Sequence, residues 1–521
     1  MIRAAFRRGP EGAARERLTW AGFTPSRGRA GPEEAAMCAD HYAMYINGQW
    51  VEAEGRGRFE VRDPANGNLV ATVADGGVPE VRKAIDAAHA AFPGWAATPG
   101  KERGAILRKT EGRMSERLEE IARLMTLENG KPFAEAKGEV GFSMGYFNWY
   151  AEEARRAYGE MVPSPFKNKR LWVQASPVGV VGAITPWNFP ANMITRKIAP
   201  AMAAGCTVVL RPASATPLTA LAIARACHEA GLPPGVLNVV TGSKSRPMAA
   251  EMMENPKVKK IGFTGSTEVG KTLMEQAAKQ IKRITFELGG NAPFIVFEDA
   301  DFDAAVDGAV AIKYLRVGGQ SCICANRIYV QESIAQRFTE AFVAKVRALK
   351  VGPGFEPGMQ VGPLINEDTR KGIHALVEDA KKRGAKVLAG GDYLREGIYA
   401  KGYFYAPTVM VDVKDDWPVC QEEIFGPVAP ILTFRTEEEL IRRANDTIFG
   451  LACYLYTKDI SRVVRLTEQL DYGLIGVNDA AGYTHEIPFG GFKQSGLGRE
   501  GGHEGLEMYL EVKSVVLNLG N

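Results

Sequence analysis

Hydrophobic and polar positions along the chain follow two periodicities that together predict an α/β protein. Between residues 79 and 160, apolar residues recur at helical spacing, which predicts a run of amphipathic helices. From residue 179 to residue 287, short β-rich runs alternate with amphipathic or alanine-rich stretches; the runs are VGVVGAIT, CTVVLR, VLNVV, KKIGFT and RITFEL. This alternation predicts βαβ units and a parallel sheet with helices on both faces. Ligands of such sheets bind beyond the carboxyl ends of the strands.

The segments on either side of this region extend the prediction. The α/β alternation continues from residue 290 to residue 490. Near Tyr45, a short strand followed by the turn Asn47-Gly48 predicts where the ordered chain begins. Residues 512–519 predict a last strand, whose terminal position suggests pairing with another element of this chain or of a neighbouring subunit.

Residues 1–40 differ from the rest because they are rich in arginine, alanine and glycine and lack apolar periodicity. Two interpretations stay open. The segment is an organelle transit peptide, which would place the protein in the mitochondrial matrix, or it is a disordered or untranslated leader of a cytoplasmic protein. Glu11 and Glu16 favour the second interpretation, because transit peptides are poor in acidic residues.

Composition argues against several classes of function. The net charge of +3 over 521 residues gives no electrostatic reason to expect a nucleic acid or an anionic membrane as partner. No apolar run reaches the roughly 18 residues that a membrane span needs. The 7 cysteines predict no disulfide framework and have no metal-ligand spacing with the 6 histidines, so we expect no metal site.

Short motifs in the two α/β regions can carry chemistry. Cys322 lies among small residues, where a thiol can be a nucleophile, although a lone cysteine is more often a packed apolar residue. Glu287 ends a β-rich run before two glycines, which suits a general base or a surface turn. Asn188, between two prolines, can donate an N–H to an oxyanion or cap the next helix. Gly265 and Ser266 open a strand-to-helix junction whose backbone N–H groups can hold phosphate.

These motifs, in this order, resemble the aldehyde dehydrogenase superfamily from about residue 45 to residue 519. The matching strings are PWNFP (186–190), FTGST (263–267), ELGG (287–290), GQSC (319–322), EEIFGP (422–427) and PFGGFKQSGLGRE (488–500). The resemblance implies an α/β fold with two Rossmann-like domains and a small β oligomerisation element. The implied divisions are a leader at 1–44, a dinucleotide-binding domain at 45–160 and 179–289, an oligomerisation element at 161–178 and 501–521, and a catalytic domain at 290–500.

The resemblance also implies oxidation of an aldehyde to a carboxylate with NAD(P)+. Cys322 is implied as the nucleophile that forms a thioester, and Asn188 with the Cys322 backbone N–H as the oxyanion hole. Glu287 is implied as the base that activates the deacylating water, which favours hydrolysis over acyl transfer to coenzyme A. Dinucleotide contacts are implied for Ile184, Trp187, Arg211, Ser214, Gly265, Ser266, Leu288, Glu423 and Phe425.

Within the superfamily, the sequence is most similar to succinate-semialdehyde dehydrogenases, with shared stretches such as NMITRKIAPAMAAGCTVVLRPAS and CANRIYVQ. The resemblance implies that Arg196 and Arg316 bind the distal carboxylate of the substrate through charge-assisted hydrogen bonds. The chain departs from these relatives where Val317 replaces an asparagine and where the stretch before the nucleophile is one residue longer. Tyr483-Thr484-His485 also replaces a loop with a carboxylate-binding serine, which makes Tyr483 a further candidate substrate contact.

Alternatives for the function therefore stay open. Succinate semialdehyde is the expected substrate, and glutarate semialdehyde or another aldehyde acid is the first alternative. A neutral or cationic aldehyde would leave the two arginines with structural roles. A non-catalytic binding protein on the same scaffold is disfavoured because Cys322, Glu287 and Asn188 are all present.

The expected cofactor follows from the residues after the ribose-binding strand. NAD-preferring members commonly carry an acid at the position of Ser214, where it repels a 2′-phosphate, and Arg211 keeps a positive charge beside it. We therefore expect NADP, with NAD also accepted. Cys324 is either a packed neighbour of Cys322 or its partner in a redox-switch disulfide. The resemblance further implies a homodimer or homotetramer.

Overall fold

The computed structural model describes residues 40–480 and 483–520. Most of the predicted leader, residues 1–44, lies outside the described residues. Its last part contributes to the strands Asp40–Tyr42 and Met44–Ile46. The strands of the structure therefore begin before the predicted start near Tyr45. The reason is that Asp40–Tyr42 pairs in parallel with the strand Leu69–Ala74.

The first α/β unit is built on an eight-stranded sheet whose central strands are parallel. In order across the sheet, the strands are Gly496–Leu497, Arg283–Glu287, Val258–Thr264, Val180–Ile184, Thr207–Arg211, Leu237–Val239, Met44–Ile46 and Gln49–Val51. Every residue of Val180–Ile184 and Thr207–Arg211 is buried, as expected for β-branched runs covered on both faces. The predicted parallel sheet is thus confirmed.

Helices pack against this sheet in two apolar clusters. They are Val78–Ala97, Gly100–Glu116, Leu118–Asn129, Phe133–Glu153, Asn192–Ala204, Pro217–Glu229, Ser245–Glu254 and Thr267–Ala278. The first four of these helices confirm the helical prediction for residues 79–160. No helix in the described part of the chain is both long enough and apolar enough to span a bilayer.

The second α/β unit has a seven-stranded sheet, parallel except for one edge strand. Its strands, in order, are Lys386–Ala389, Thr408–Val411, Val428–Phe434, Ala325–Gln331, Ala292–Val296, Ala452–Tyr456 and Leu474–Val477. The helices of this part are Phe302–Tyr314, Ala335–Arg347, Glu367–Lys382, Pro418–Gln421, Glu437–Asn445 and Ile460–Gln469, followed by Glu504–Glu507. The continued α/β alternation is confirmed.

A three-stranded antiparallel sheet brings together the two segments predicted as an oligomerisation element. The strand Leu510–Asn518 pairs along its whole length with Lys169–Pro177, which also pairs with Glu160–Val162. The last strand thus pairs within its own chain. Another three-stranded sheet joins Asp40–Tyr42, Leu69–Ala74 and Arg58–Arg62. The domain boundaries themselves stay predictions.

Buried Arg327 ties the second sheet to the turn that follows Glu287. Its guanidinium donates to the side-chain oxygen and the backbone carbonyl of Asn291, both at 3.1 Å. It also donates to the carbonyls of Arg443 and Ala444, both at 3.0 Å. If the arginine were replaced, the two Asn291 oxygens would lose this donor, whereas the Ala444 carbonyl would keep the Tyr472 hydroxyl and the Arg443 carbonyl the Asp446 N–H.

We expect Arg327→Met to lower the free energy of unfolding by about 3 kcal/mol, because each buried carbonyl left without a donor costs roughly 1–3 kcal/mol. Urea denaturation measures the change. The control is Arg435→Met, since Arg435 is 74% exposed and pairs with exposed Glu332, and such a pair contributes at most about 1 kcal/mol. Equal effects of the two substitutions would contradict the prediction.

Candidate functional site

The predicted cofactor residues lie at one edge of the first sheet. Register places Ile184 opposite both Arg211 and Phe263, and Thr264 opposite Glu287, so the strands carrying them end together. The loops that follow these strands carry the remaining candidates from the first unit, which are Trp187, Ser214, Gly265, Ser266 and Leu288. The fold therefore forms the ligand-binding edge that its topology predicts.

Cys322 lies between the two α/β units, against the turn after Glu287. A Cβ placed on Gly290 would lie 2.2 Å from the Cys322 carbonyl oxygen, so the two segments are in direct contact. Burial raises the pKa of the Cys322 thiol to about 12; the Arg196 charge opposes this rise, whereas Glu423 and Glu287 add to it. The thiol of the ligand-free protein is therefore protonated at neutral pH.

The turn before Cys322 has a strained backbone. Val317, Gly318 and Gly319 have φ angles of +49°, +60° and +81°. Glycine adopts such angles freely, but a β-branched residue there costs roughly 1–3 kcal/mol. The Val317 N–H donates to the Glu135 carboxylate at 2.7 Å, and this bond holds the turn from outside.

Asn188 points at this turn rather than at the helix that follows it. Its side-chain N–H donates to the Gln320 carbonyl at 3.0 Å, and the residue is 3% exposed. The helix Asn192–Ala204 has Ala191 at its N-cap position, so the capping alternative for Asn188 is wrong. An amide nitrogen carries two hydrogens, so one N–H of Asn188 stays available at the turn that leads to Cys322.

A buried ion pair holds the loop that carries Asn188. Lys131 donates to the Asn188 carbonyl at 2.8 Å and also to Glu139. The same Glu139 carboxylate accepts from the backbone N–H groups of Ala191 at 2.9 Å and Asn192 at 3.2 Å. Because all these groups are buried, the loop has a single hydrogen-bonded arrangement on the helix Phe133–Glu153.

Glu287 is 1% exposed, and neither carboxylate oxygen has a hydrogen-bond partner among the described residues. Burial, together with the nearby charge of Glu500, raises its pKa well above the usual range. Glu500 itself forms ion pairs with Arg196 at 2.6 Å and Lys197 at 2.5 Å. Glu287 therefore has no hydrogen-bond partner among the described residues, and its surroundings favour the protonated form.

The remaining cofactor candidates have free polar groups or ring faces at the same cleft. Arg211 is 7% exposed, and its Nε has no partner among the described residues. Ser266 caps the helix Thr267–Ala278, whose first N–H groups can receive a phosphate. Trp187 and Phe425 lie edge to face at 5.6 Å between ring centroids. These features fit a dinucleotide.

Glu423 reaches from the second unit to the turn after Glu287. Its carboxylate accepts from the Gly290 N–H at 2.9 Å, and burial raises its pKa to about 8. The second carboxylate oxygen lies close to Gly289, where a Cβ would be 2.6 Å away. Glu423 thus joins the cofactor edge to the segment that contacts Cys322.

The two candidate carboxylate anchors differ in their surroundings. Arg316 is half-buried, donates to the Tyr483 hydroxyl at 3.1 Å, and has no carboxylate in ion-pair contact within residues 40–480 and 483–520. Arg196 is buried against Glu500, and its guanidinium lies 4.2 Å from the centre of the Phe489 ring. Arg316 is therefore the guanidinium that can accept a new anion without breaking an ion pair.

Cys324 is 4% exposed, and its thiol lies 3.7 Å from the Lys313 carbonyl oxygen. Both Cys322 and Cys324 are free thiols in the structure, and the redox switch stays a prediction. In the described part of the chain, no group of three or more His, Cys, Asp or Glu side chains is placed to hold a metal ion.

Sequence reasoning missed the residues that support the site. Lys131 and Glu139 lie in a helical region, where such a pair usually faces solvent. Glu500 ends the quoted string PFGGFKQSGLGRE and Lys197 follows Arg196, but neither pattern reveals their burial. One signal was present in the sequence. Glu135 and Glu139 are one helical turn apart, which places them on the same face of the predicted helix.

We expect alkylation of Cys322 by iodoacetamide in the ligand-free protein to accelerate about tenfold per pH unit from pH 7 to pH 10, because only the thiolate reacts. The raised pKa of this thiol keeps the thiolate fraction small throughout this interval. Mass spectrometry of the modified peptide measures the rate, and Cys322→Ser gives the background from other cysteines. A rate that levels off below pH 9 would contradict the prediction.

Comparison with known proteins agrees with this geometry. The glutarate-semialdehyde dehydrogenase of Pseudomonas putida is 50% identical over 475 residues, which are 91% of this chain and 97% of that protein. The NADP(+)-dependent succinate-semialdehyde dehydrogenase of Escherichia coli is 50% identical over 474 residues, again 91% and 97%. The solved structure of an NADP-dependent enzyme of Escherichia coli has a TM-score of 0.90 and 49% identity, covering 92% of this chain and 98% of that one.

The sequence model of the aldehyde dehydrogenase family matches residues 50–515, which is most of the chain. The fold, the order of the motifs and these relatives agree with that match. The chain therefore belongs to the aldehyde dehydrogenase family and is an NAD(P)-dependent enzyme that oxidises aldehydes to acids.

Proposed function

We propose that this enzyme oxidises an aldehyde that carries a distal carboxylate, succinate semialdehyde first, and that it uses NADP+ in preference to NAD+. The observation that carries the proposal is Arg316. Its guanidinium has no carboxylate partner among the described residues, contacts the Tyr483 hydroxyl, and lies six residues before Cys322. A carboxylate at this place would gain charge-assisted hydrogen bonds.

In the proposed reaction, Cys322 attacks the aldehyde carbon and forms a tetrahedral adduct. The free N–H of the Asn188 amide and the Cys322 backbone N–H would stabilise the oxyanion. When bound, the dinucleotide supplies the hydride acceptor. Loss of hydride would leave a thioester on Cys322, and water would release the carboxylic acid.

The electrostatic interaction between the Cys322 thiol and the Glu287 carboxyl supports an order for these steps. Glu287 raises the pKa of Cys322, so thiolate and carboxylate disfavour each other. The thiol must therefore release its proton to solvent before Cys322 attacks. Once the sulfur is acylated it is neutral, and Glu287 can ionise without facing a thiolate. The carboxylate would then take a proton from the deacylating water.

Cofactor preference is proposed from Ser214 and Arg211. Ser214 is half-buried, follows the strand that ends at Arg211, and brings no negative charge to the ribose site. Burial lowers the pKa of Arg211 to about 10, so its guanidinium stays charged at neutral pH. Both features suit a 2′-phosphate. The Escherichia coli relative, named for NADP(+), supports the same choice.

The length of the aldehyde acid is the second open choice within the proposal. One relative is named for the five-carbon glutarate semialdehyde and another for the four-carbon succinate semialdehyde, both at 50% identity. Tyr483-Thr484-His485 replaces the loop in which relatives carry a carboxylate-binding serine, and the bulky Tyr483 side chain lies directly against Arg316. This difference favours the shorter substrate.

The proposed homodimer or homotetramer is supported by the small sheet that contains the last strand. Its exposed apolar side chains include Met161 at 73%, Val512 at 76% and Val516 at 61% exposure. Exposed apolar residues grouped in this way are typical of surfaces that bind another protein.

Steady-state kinetics test the substrate and cofactor together. We expect kcat/KM for succinate semialdehyde to exceed that for butanal, which has the same chain length without the acid, by at least about 100-fold. Arg316→Ala should reduce this ratio about 10- to 100-fold, because hydrogen bonds to charged groups contribute roughly 1.5–3 kcal/mol. Each aldehyde is assayed with NAD+ and with NADP+.

Two outcomes would contradict the proposal. Comparable kcat/KM for butanal and succinate semialdehyde would exclude an acidic substrate and favour a neutral one, with the arginines structural. A kcat/KM for NAD+ tenfold above that for NADP+ would exclude the cofactor preference. Arg435→Ala, at an exposed arginine far along the chain, is the matched control and should leave every ratio unchanged.

A further inference from the structure

The loop that begins at Tyr483 is fixed to the helix Phe133–Glu153 by the imidazole of His485. Its Nε2–H donates to the Phe142 carbonyl at 2.7 Å, and its ring stacks on the Phe142 ring with centroids 4.2 Å apart. The ring also meets Tyr146 edge to face at 4.7 Å. One side chain thus makes a directional hydrogen bond and two ring contacts with a single helix.

Gly145 provides the space for this imidazole. A Cβ placed on Gly145 would lie 2.3 Å from Cε1 and 2.5 Å from Nε2 of His485. No real Cβ approaches another atom so closely, so any other residue at position 145 would push the ring away. The helix is therefore shaped to receive His485.

The backbone of His485 is held as well. Its carbonyl accepts from the Gly502 N–H at 2.8 Å. Gly502 in turn is bound to the same helix, because its carbonyl accepts from Trp149 at 3.3 Å and from Tyr150 at 3.2 Å. The backbone and the ring of His485 are therefore both held on this helix.

Two residues before His485, Tyr483 contacts the same helix and the anchor. Its ring lies edge to face with Phe142 at 5.1 Å and with Phe489 at 5.9 Å. Its hydroxyl accepts from Arg316, and the guanidinium lies 5.3 Å from the centre of its ring. The position of Tyr483, and through it that of Arg316, thus depends on how the loop is docked.

We propose that His485 is a positioning residue for substrate selection, which seats in the notch at Gly145 and thereby holds Tyr483 against Arg316. The inference rests on the proposed function, since it assumes that Arg316 binds the acidic end of the aldehyde. His485 contacts no reacting atom in this account. It acts on the affinity for acidic aldehydes, through a preformed anchor that does not have to be ordered when substrate binds.

The test compares His485→Ala with wild-type enzyme as the holoenzyme, using succinate semialdehyde and butanal. We expect KM for succinate semialdehyde to rise about tenfold and the ratio of kcat/KM between the two aldehydes to fall by a similar factor. Gly145→Ala keeps the histidine but fills its notch and displaces the ring, and it should lower the same ratio. His89→Ala, on an exposed helix face, is the matched control.

Two conservative variants separate the contacts. His485→Gln keeps an N–H donor, His485→Phe keeps the ring, and each should restore part of the lost selectivity. Circular dichroism and the thermal midpoint identify a variant that fails to fold, and Gly145→Ala then provides an independent route to the same readout.

The outcomes distinguish this inference from the proposed function. If wild-type enzyme prefers succinate semialdehyde and both His485→Ala and Gly145→Ala keep the wild-type ratio, the positioning role is wrong and the proposed function stands. If wild-type enzyme has no preference for the acidic aldehyde, the proposed function fails, and the inference fails with it. Equal losses for both aldehydes in His485→Ala would show a general structural role and would also overturn it.

Discussion

One face of the helix Phe133–Glu153 holds three loops that carry candidate site residues. Glu135 accepts the Val317 N–H of the turn before the nucleophile, and Glu139 with Lys131 holds the loop that carries Asn188. Phe142 and Gly145 receive His485 from the third loop. Positions 135, 139, 142 and 146 follow helical spacing and therefore share this face. Apart from a single 3-10 turn at Val317–Gly319, these loops contain no regular structure at the contacts, so their relative placement depends on this helix.

In the same region, burial raises the free energy of the ionised forms of Cys322 and Glu287, and the reaction can use this effect. Cys322 and Glu287 both have raised pKa values because they are buried, and Glu287 adds to the rise at Cys322. Arg196 and Lys197 both form ion pairs with the single carboxylate of Glu500, so two basic groups and one acid lie beside the thiol and Glu287. Such a site lowers the stability of the fold but is useful for catalysis, because a change at the Cys322 sulfur alters the basicity of the neighbouring Glu287 carboxylate.

The sequence was informative where local patterns have one structural meaning. Buried β-branched runs predicted the parallel strands, and strand ends placed Ile184, Arg211 and Glu287 at one edge. The sequence leaves the role of Asn188 ambiguous, whereas its donor bond to Gln320 turns its side chain away from the following helix. Lys131 and Glu139 could not be predicted, because an acid and a base eight residues apart in a helix-rich region usually face solvent, and only tertiary packing buries them. The start of the ordered strands was placed too late for a related reason, since Asp40–Tyr42 pairs with a distant strand.

The most direct test of the helix as organiser is the first-turnover rate of reduced-cofactor formation in Glu139→Gln. This variant removes the charge that pairs with Lys131 and weakens the hold on Ala191 and Asn192. The account predicts a rate about 10- to 100-fold below wild type with succinate semialdehyde and butanal alike, because misplacing Asn188 affects the step common to both. Glu152→Gln, at an exposed acid of the same helix, should keep the wild-type rate. A wild-type rate in Glu139→Gln with both aldehydes would contradict the account.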